Sequence, residues 1–195
     1  MTLLLIGLLL FLGAHSARVF AEGPRAAVIA RLGANGWKGL YSVISLIGFV
    51  LIIKGYGDAR GAAALWPAPP HLRDATALLV LAAFILLVAA YWPGNAIKAA
   101  VRDPMVLGVG CWALGHLLVK SSPPALALFG AFLVWAVVDF LSLRRRGQAA
   151  AVPDSRPAGT SSLAATAGTV VVGLIAFVGF LVWGHRLLIG VSPFG

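Results

Sequence analysis

Residues 75–92, ATALLVLAAFILLVAAYW, decide the class of this protein. The run carries no charge, and almost every side chain in it is apolar. It approaches the ~20 residues that a helix needs to cross the hydrocarbon core of a bilayer. A helix on a soluble surface would show a polar face every three to four residues, and here that face is missing. Residues 39–57, GLYSVISLIGFVLIIKGYG, and 163–183, LAATAGTVVVGLIAFVGFLVW, read the same way. Weaker apolar stretches begin at the N-terminus, at Pro104 and at Pro124. The sequence therefore predicts an all-α fold, a polytopic transmembrane helical bundle of about six spanning helices. They lie over roughly 2–20, 39–57, 75–92, 104–120, 124–143 and 163–184.

Composition agrees. The chain is 61% hydrophobic and 11% charged, with mean hydropathy +0.97, and a soluble domain of 195 residues needs more polar surface. The net charge of +9 raises nucleic acid as a partner. The basic residues, however, are spread between apolar stretches and form no basic domain, so no nucleic-acid role is expected. They read as topology signals. Arg18, Arg25, Arg31, Lys38, Lys98, Arg102, Arg144, Arg145, Arg146 and Arg156 fall on one side, against Lys54, Arg60, Arg73, Lys120 and Arg186 on the other. The richer side is expected to be cytoplasmic, which puts both termini on the periplasmic side. The opening MTLLLIGLLLFLGAHSA has the apolar core of a signal peptide. Basic residues follow it rather than precede it, so it is read as a retained first helix. The single cysteine, Cys111, excludes an intrachain disulfide and any CxxC metal motif, and reads as a small packing residue.

Two histidines, His15 and His116, lie within apolar segments. An ionisable group at membrane depth is costly and usually faces the protein interior. Gly7, Phe11 and His15 are spaced by four residues, and so are Gly108, Trp112 and His116. Steps of four stack on one helix face, so a small residue, an aromatic ring and an imidazole share a stripe in each segment. Two roles fit. The stripes form a wall for a flat, iron-bearing ring, with His15 and His116 as its ligands. Otherwise the histidines are buried core groups bonded to a backbone carbonyl or to Ser16. Arg18 is placed to meet a propionate of such a ring or to mark the interface. Met105, three turns before His116, reads as packing, and His71 and His185 as solvated. Tyr41 reads as an interface anchor, with hydrogen bonding to a ligand or a histidine as the alternative. No nucleophile triad, Walker loop or paired catalytic carboxylates are present. Segments one and four each open a group of three helices, which hints at an inverted repeat.

The stretches FLGAHSARVF, RLGANGWKGLYSVISLIGFVLIIKGYG, FILLVAAYWPG, RDPMVLGVGCWALGHLL and WAVVDFLSLRRRG together resemble the NnrU family. These are bacterial membrane proteins linked to denitrification and nitric oxide metabolism. The resemblance covers roughly 1–147. That stretch is an NnrU-like membrane core of five helices. The Pro-, Ser- and Gly-rich residues after it read as a polar cytoplasmic linker over 148–162, and the apolar run beyond as a sixth transmembrane helix with a short tail over 163–195. The family is similar to the plastid zeta-carotene isomerase, a membrane enzyme that uses haem b to isomerise a cis double bond. The resemblance implies that His15, in AHSA, and His116, in ALGHLL, are metal ligands of one haem b. By their positions Phe11 and Trp112 would stack on the cofactor's edge or else pack as ordinary core, and Arg18 would meet a propionate. An Arg-His-Pro motif of that relative reads Arg102-Asp103-Pro104 here, so any role of its histidine is absent.

The expectation is a multi-pass protein of the bacterial inner membrane with a redox-linked role. That role is either nitrogen-oxide chemistry or an isomerase-like reaction, and its partners are the lipid bilayer with a lipophilic small-molecule substrate or an electron-transfer partner. The alternative is a non-enzymatic membrane assembly factor or transporter whose histidines are structural or carry protons. Catalytic residues are not assignable from the sequence.

Overall fold

A computed structural model describes residues 1–149 and 161–193. Helices account for the regular structure, and no strand occurs among the described residues. They are α1 (Thr2–His15), α2 (Ala17–Phe20), α3 (Glu22–Ala59), α4 (Leu72–Tyr91), α5 (Ala96–Val101), α6 (Pro104–Val119), α7 (Pro123–Ala149), α8 (Leu163–Gly179) and α9 (His185–Ile189). One wide π turn, Phe180–Gly184, joins the last two. The all-α polytopic membrane fold read from the sequence is the fold observed. The linker expected at 148–162 falls mostly on residues 150–160, outside the described residues.

The count of full spans is lower than six. Four described helical stretches are long and apolar enough to cross a membrane: Glu22–Ala59, Leu72–Tyr91, Pro123–Gly147 and Leu163–Ile189. The other two apolar helices, α1 and α6, have 14 and 16 residues. At ~1.5 Å per residue they are roughly 21 and 24 Å long, short of a ~30 Å core. Local chemistry ends them early. Ser16, at φ −87° and ψ −3°, separates α1 from the four-residue α2, and the chain leaves helical geometry altogether at Ala21. Pro104 opens α6, and Lys120-Ser121-Ser122 ahead of Pro123 and Pro124 closes it. The helix at 39–57 instead starts earlier than expected. α3 is two helices, 22–32 and 34–59, meeting at Gly33. Gly33 holds φ +73°, a conformation that glycine adopts without a Cβ clash.

The chain forms two compact units, residues 1–67 with 120–139, and 68–119 with 140–195. The grouping is not the three-plus-three division of an inverted repeat. The first unit takes the first, second and most of the fifth segment, and the second takes the third, fourth and sixth.

In the first unit α1 packs antiparallel on α3 through glycine. A Cβ on Gly7 would lie 2.7 Å from the Ile52 backbone nitrogen, and one on Gly48 would lie 2.7 Å from the Phe11 nitrogen. Gly55 abuts the backbone of Leu4. Real Cβ atoms do not come so near, so these glycines let two backbones touch, the contact that drives association where water is absent. Leu4 and Ile52 are buried beside them. At the far end Ser121 clasps the loop after α3. Its hydroxyl donates to the Trp66 carbonyl at 2.6 Å, and Leu65 N–H donates to the Ser121 carbonyl at 3.4 Å.

The second unit repeats this construction. α6 lies antiparallel on α4, with Gly108 against Ala83 and Leu86, and Gly115 against Thr76 and Leu79. The Thr76 hydroxyl donates to Leu72 O at 2.8 Å, and the Gly115 carbonyl lies 2.9 Å away as a second acceptor. Gly173 sets α8 against Ile85 on the same helix α4. Asn95, 3% exposed, locks the turn after α4. Its amide lies 3.0 Å from Ala89 O, and its side-chain oxygen accepts the Lys98 N–H at 2.7 Å.

Gly55→Leu is therefore expected to separate α1 from α3 and to cost about 1–3 kcal/mol, the usual range for overpacking. Gly57→Leu, two residues on, faces open space and should be neutral. Thermal melts of the two variants in detergent check this.

Candidate functional site

The helices that carry the two histidines are the two short ones. His15 is the last residue of α1. Its Nδ1 lies 2.7 Å from the Phe11 carbonyl oxygen, one turn back. Its ring stacks on Phe11 at 4.2 Å between centroids, with the planes 27° apart. His116, in the last turn of α6, repeats the arrangement. Its Nδ1 lies 2.8 Å from the Trp112 carbonyl oxygen, and its ring is 5.4 Å from the Trp112 ring. Both imidazoles are half-buried.

This geometry fixes a chemical property. A carbonyl oxygen can only accept, so in each ring Nδ1 carries the hydrogen and donates it. In the neutral imidazole the lone pair then sits on Nε2. A histidine whose Nδ1–H is held by a backbone carbonyl is the form that ligates a metal through Nε2, because the bond sets tautomer and ring orientation together. The same bond also satisfies a purely structural histidine.

The first unit adds neighbours that the stripe alone did not give. Tyr41 lies 5.1 Å from the His15 ring, and Trp135 stands nearly perpendicular to it at 6.1 Å. Of the two readings of Tyr41, the one that set it near a histidine matches this placement. Packing brings it there, since Leu4 meets Gly55, Gly7 meets Ile52 and Phe11 meets Gly48. One more turn along this antiparallel register sets His15 opposite Ile44, and the Tyr41 ring reaches it from the next turn of α3. That register was available in the small-residue positions of the two segments. Nothing in the sequence marked Trp135. Phe11 also touches Phe49 and Phe132, so it belongs to the core of its unit as well as to His15. Arg18 is exposed on the four-residue α2.

A family model described as NnrU protein matches residues 3–193. The chain belongs to the NnrU family. The match runs past residue 147 and takes in the last helix. No curated protein and no solved structure matches the chain. It is an integral membrane protein with several passes.

The other candidates in this NnrU-family chain have plainer places. Met105 is exposed near the start of α6, and His71 is exposed at the entry to α4. His185 is half-buried rather than solvated: its Nδ1 lies 2.6 Å from the Val191 carbonyl, and its ring meets Phe180 edge-on. Gly190, at φ +79°, turns the chain back so that Val191 reaches it. Lys98 donates to the Ala90 carbonyl at the end of α4. Arg102, in the Arg-Asp-Pro motif, holds φ 66° and ψ −50°, with Asp103 N–H on Val101 O at 2.8 Å. This is a γ-turn of the rare positive-φ kind, strained for a residue with a side chain. Arg144 props the same carbonyl at 3.0 Å. Among the described residues no three His, Cys, Asp or Glu side chains gather to hold a bare metal ion.

Nitrogen-15 NMR of histidine-labelled protein should show both His15 and His116 as the Nδ1–H tautomer at neutral pH. An Nε2–H signal from either would show that its bond to the preceding turn is not made.

Proposed function

We propose that the protein holds one b-type haem through His15 and His116, in the bacterial inner membrane, with both termini on the periplasmic side. The observation that carries this reading is the repeated bond from Nδ1 to the carbonyl four residues back. It presents a lone pair on Nε2 in both helices, and each ring is flanked by the aromatic side chain of that same residue. Taken singly, each histidine has the chemistry the group needs. A porphyrin supplies four of an iron's ligands, so two imidazoles suffice and no cluster of three protein ligands is needed. Family membership supports the assignment, since NnrU proteins resemble a haem-dependent membrane isomerase.

When bound, the haem would supply a one-electron redox centre. The chain's own groups do the rest. The Phe11 and Trp112 carbonyls orient the imidazoles and make them stronger donors. Phe11, Tyr41 and Trp135 crowd His15 and keep water from it. With both imidazoles bound, the chain's ligands would leave no open position on such an iron, which would favour electron transfer over direct ligand binding. The physiological setting is nitrogen-oxide metabolism or an isomerase-like reaction on a lipophilic substrate.

A second reading has an observation of its own. Each imidazole is already satisfied within its helix, as in an assembly factor or transporter whose histidines are structural or carry protons. Reduced-minus-oxidised absorption of the protein purified from haem-sufficient cells separates the two. We expect the α-band of a six-coordinate b-type haem, near one haem per chain. His15→Ala and His116→Ala should each lower retained haem at least tenfold while the helix content stays unchanged. A well-folded wild-type protein without the band, or variants that keep it at full occupancy, would overturn the haem reading.

A further inference from the structure

The turn between α5 and α6 carries an arginine where glycine would fold more easily. Arg102, at φ 66°, is the one residue other than glycine with positive φ among the described residues. Elsewhere the chain uses glycine for such backbone, at Gly33, Gly94 and Gly190. A side chain at positive φ strains the chain, and strain of this kind gathers at functional sites. Glycine would make the same turn without it, so the turn itself does not require the guanidinium.

A second arginine is fixed beside the first. Val101 precedes Arg102, and its carbonyl accepts from Arg144 Nη2 at 3.0 Å. The Arg144 guanidinium also lies 4.7 Å from the Phe140 ring centre. One positive charge is thereby tied to the residue next to another. Lys98, one turn before Arg102, donates from Nζ to the Ala90 carbonyl at 2.7 Å, and Arg145 is exposed. Carbonyls are neutral, so these bonds position the charges without cancelling them. Asp103 is next in the chain, yet among the described residues no carboxylate pairs with Arg102, Arg144 or Arg145. Like charges held close repel, and an anion between them reverses the sign.

The cluster lies where the apolar stretches end. α4 stops at Tyr91, and the apolar run of α7 stops at Leu143. Tyr91 and Trp92, exposed beside the carbonyl that Lys98 holds, are the aromatic types of a membrane interface. A topology signal requires only a count of basic residues in a loop. It requires neither a strained backbone nor an arginine tied to its carbonyl.

We propose that Arg102 and Arg144 bind the phosphodiester of an anionic phospholipid at this rim, within the positive surroundings of Lys98 and Arg145. The planar guanidinium fork matches phosphate oxygens, and basic pockets at the ends of spanning helices take such headgroups. A free phosphate carries the same oxygens, but the lipid is already concentrated at this depth, with its acyl chains in the bilayer.

The test titrates the full-length protein in detergent with dioleoyl phosphatidylglycerol, or with the phosphatidylcholine of the same chains, and reads bound lipid by native mass spectrometry. We expect the anionic lipid to bind roughly tenfold tighter to the wild type. Arg102→Gly should abolish that preference and, because it relieves the turn, should melt no lower than the wild type in the absence of lipid. Arg31→Gln, which takes the same charge from the first unit, should leave the preference unchanged, and excess inorganic phosphate should not displace the lipid. A preference kept in Arg102→Gly, an equal loss in Arg31→Gln, or displacement by phosphate alone would each overturn the proposal. So would an Arg102→Gly protein that melts well below the wild type, because the arginine would then serve the turn.

Discussion

Backbone touching backbone through glycine is the contact on which both units depend. Lipid tails are as apolar as leucine, so burying a leucine between two membrane helices yields little of the energy it yields in water. What remains is close packing, and closeness requires the absence of a Cβ. Gly7, Gly48 and Gly55 provide it for α1 on α3, and Gly108 and Gly115 for α6 on α4. Each short helix is thereby held flush against a long antiparallel partner. The position of each histidine follows, because once a glycine sets the register, every residue along the short helix has a fixed neighbour.

Shortness is part of the same design. Each histidine sits in the last turn of a helix that stops before the membrane would end. The carbonyl one turn back keeps a second lone pair beside the helix's own bond, so an imidazole can fold back onto it. The resulting bond removes one ring nitrogen from the list of available groups and leaves the other with a defined lone pair. The same local chemistry arises twice, from Phe11 to His15 and from Trp112 to His116, in segments that otherwise share little sequence. Two independent realisations of one geometry are the strongest reason to give the histidines a common task.

Much of this was legible in the sequence, and the failures have identifiable causes. Apolar run length revealed the membrane class and the positions of the long helices. It overstated the reach of α1 and α6, because hydropathy continues past points where the backbone cannot. Ser16 and Ala21 end one helix geometrically while Val19 and Phe20 remain apolar, and a serine and proline cluster ends the other. The four-residue stripe correctly paired Phe11 with His15 and Trp112 with His116, since that pairing lies within one helix and follows from its pitch. Tyr41 and Trp135 come from other helices, so no periodicity within α1 points to them. Tyr41 was recoverable from glycine register, but Trp135 needed the packing of α7. The grouping of the segments also escaped, because adjacency in sequence suggested consecutive triplets, while the packing glycines joined the fourth segment to the third.

The glycines themselves separate into two kinds, and the distinction carries weight for function. Those at 7, 48, 55, 108 and 115 are occupied by a neighbour, so their conservation of space is explained by assembly alone. Gly130 is not occupied, although it lies in the interior of a long helix where a side chain would fit without clash. A membrane protein gains nothing structurally from such a position, because lipid fills any dent that protein leaves. Trp135, beside that gap and against His15, has an unanswered N–H. An indole with an unpaired N–H and a histidine with a defined tautomer thus meet in the first unit, through the packing of α7 and not through any periodicity of α1.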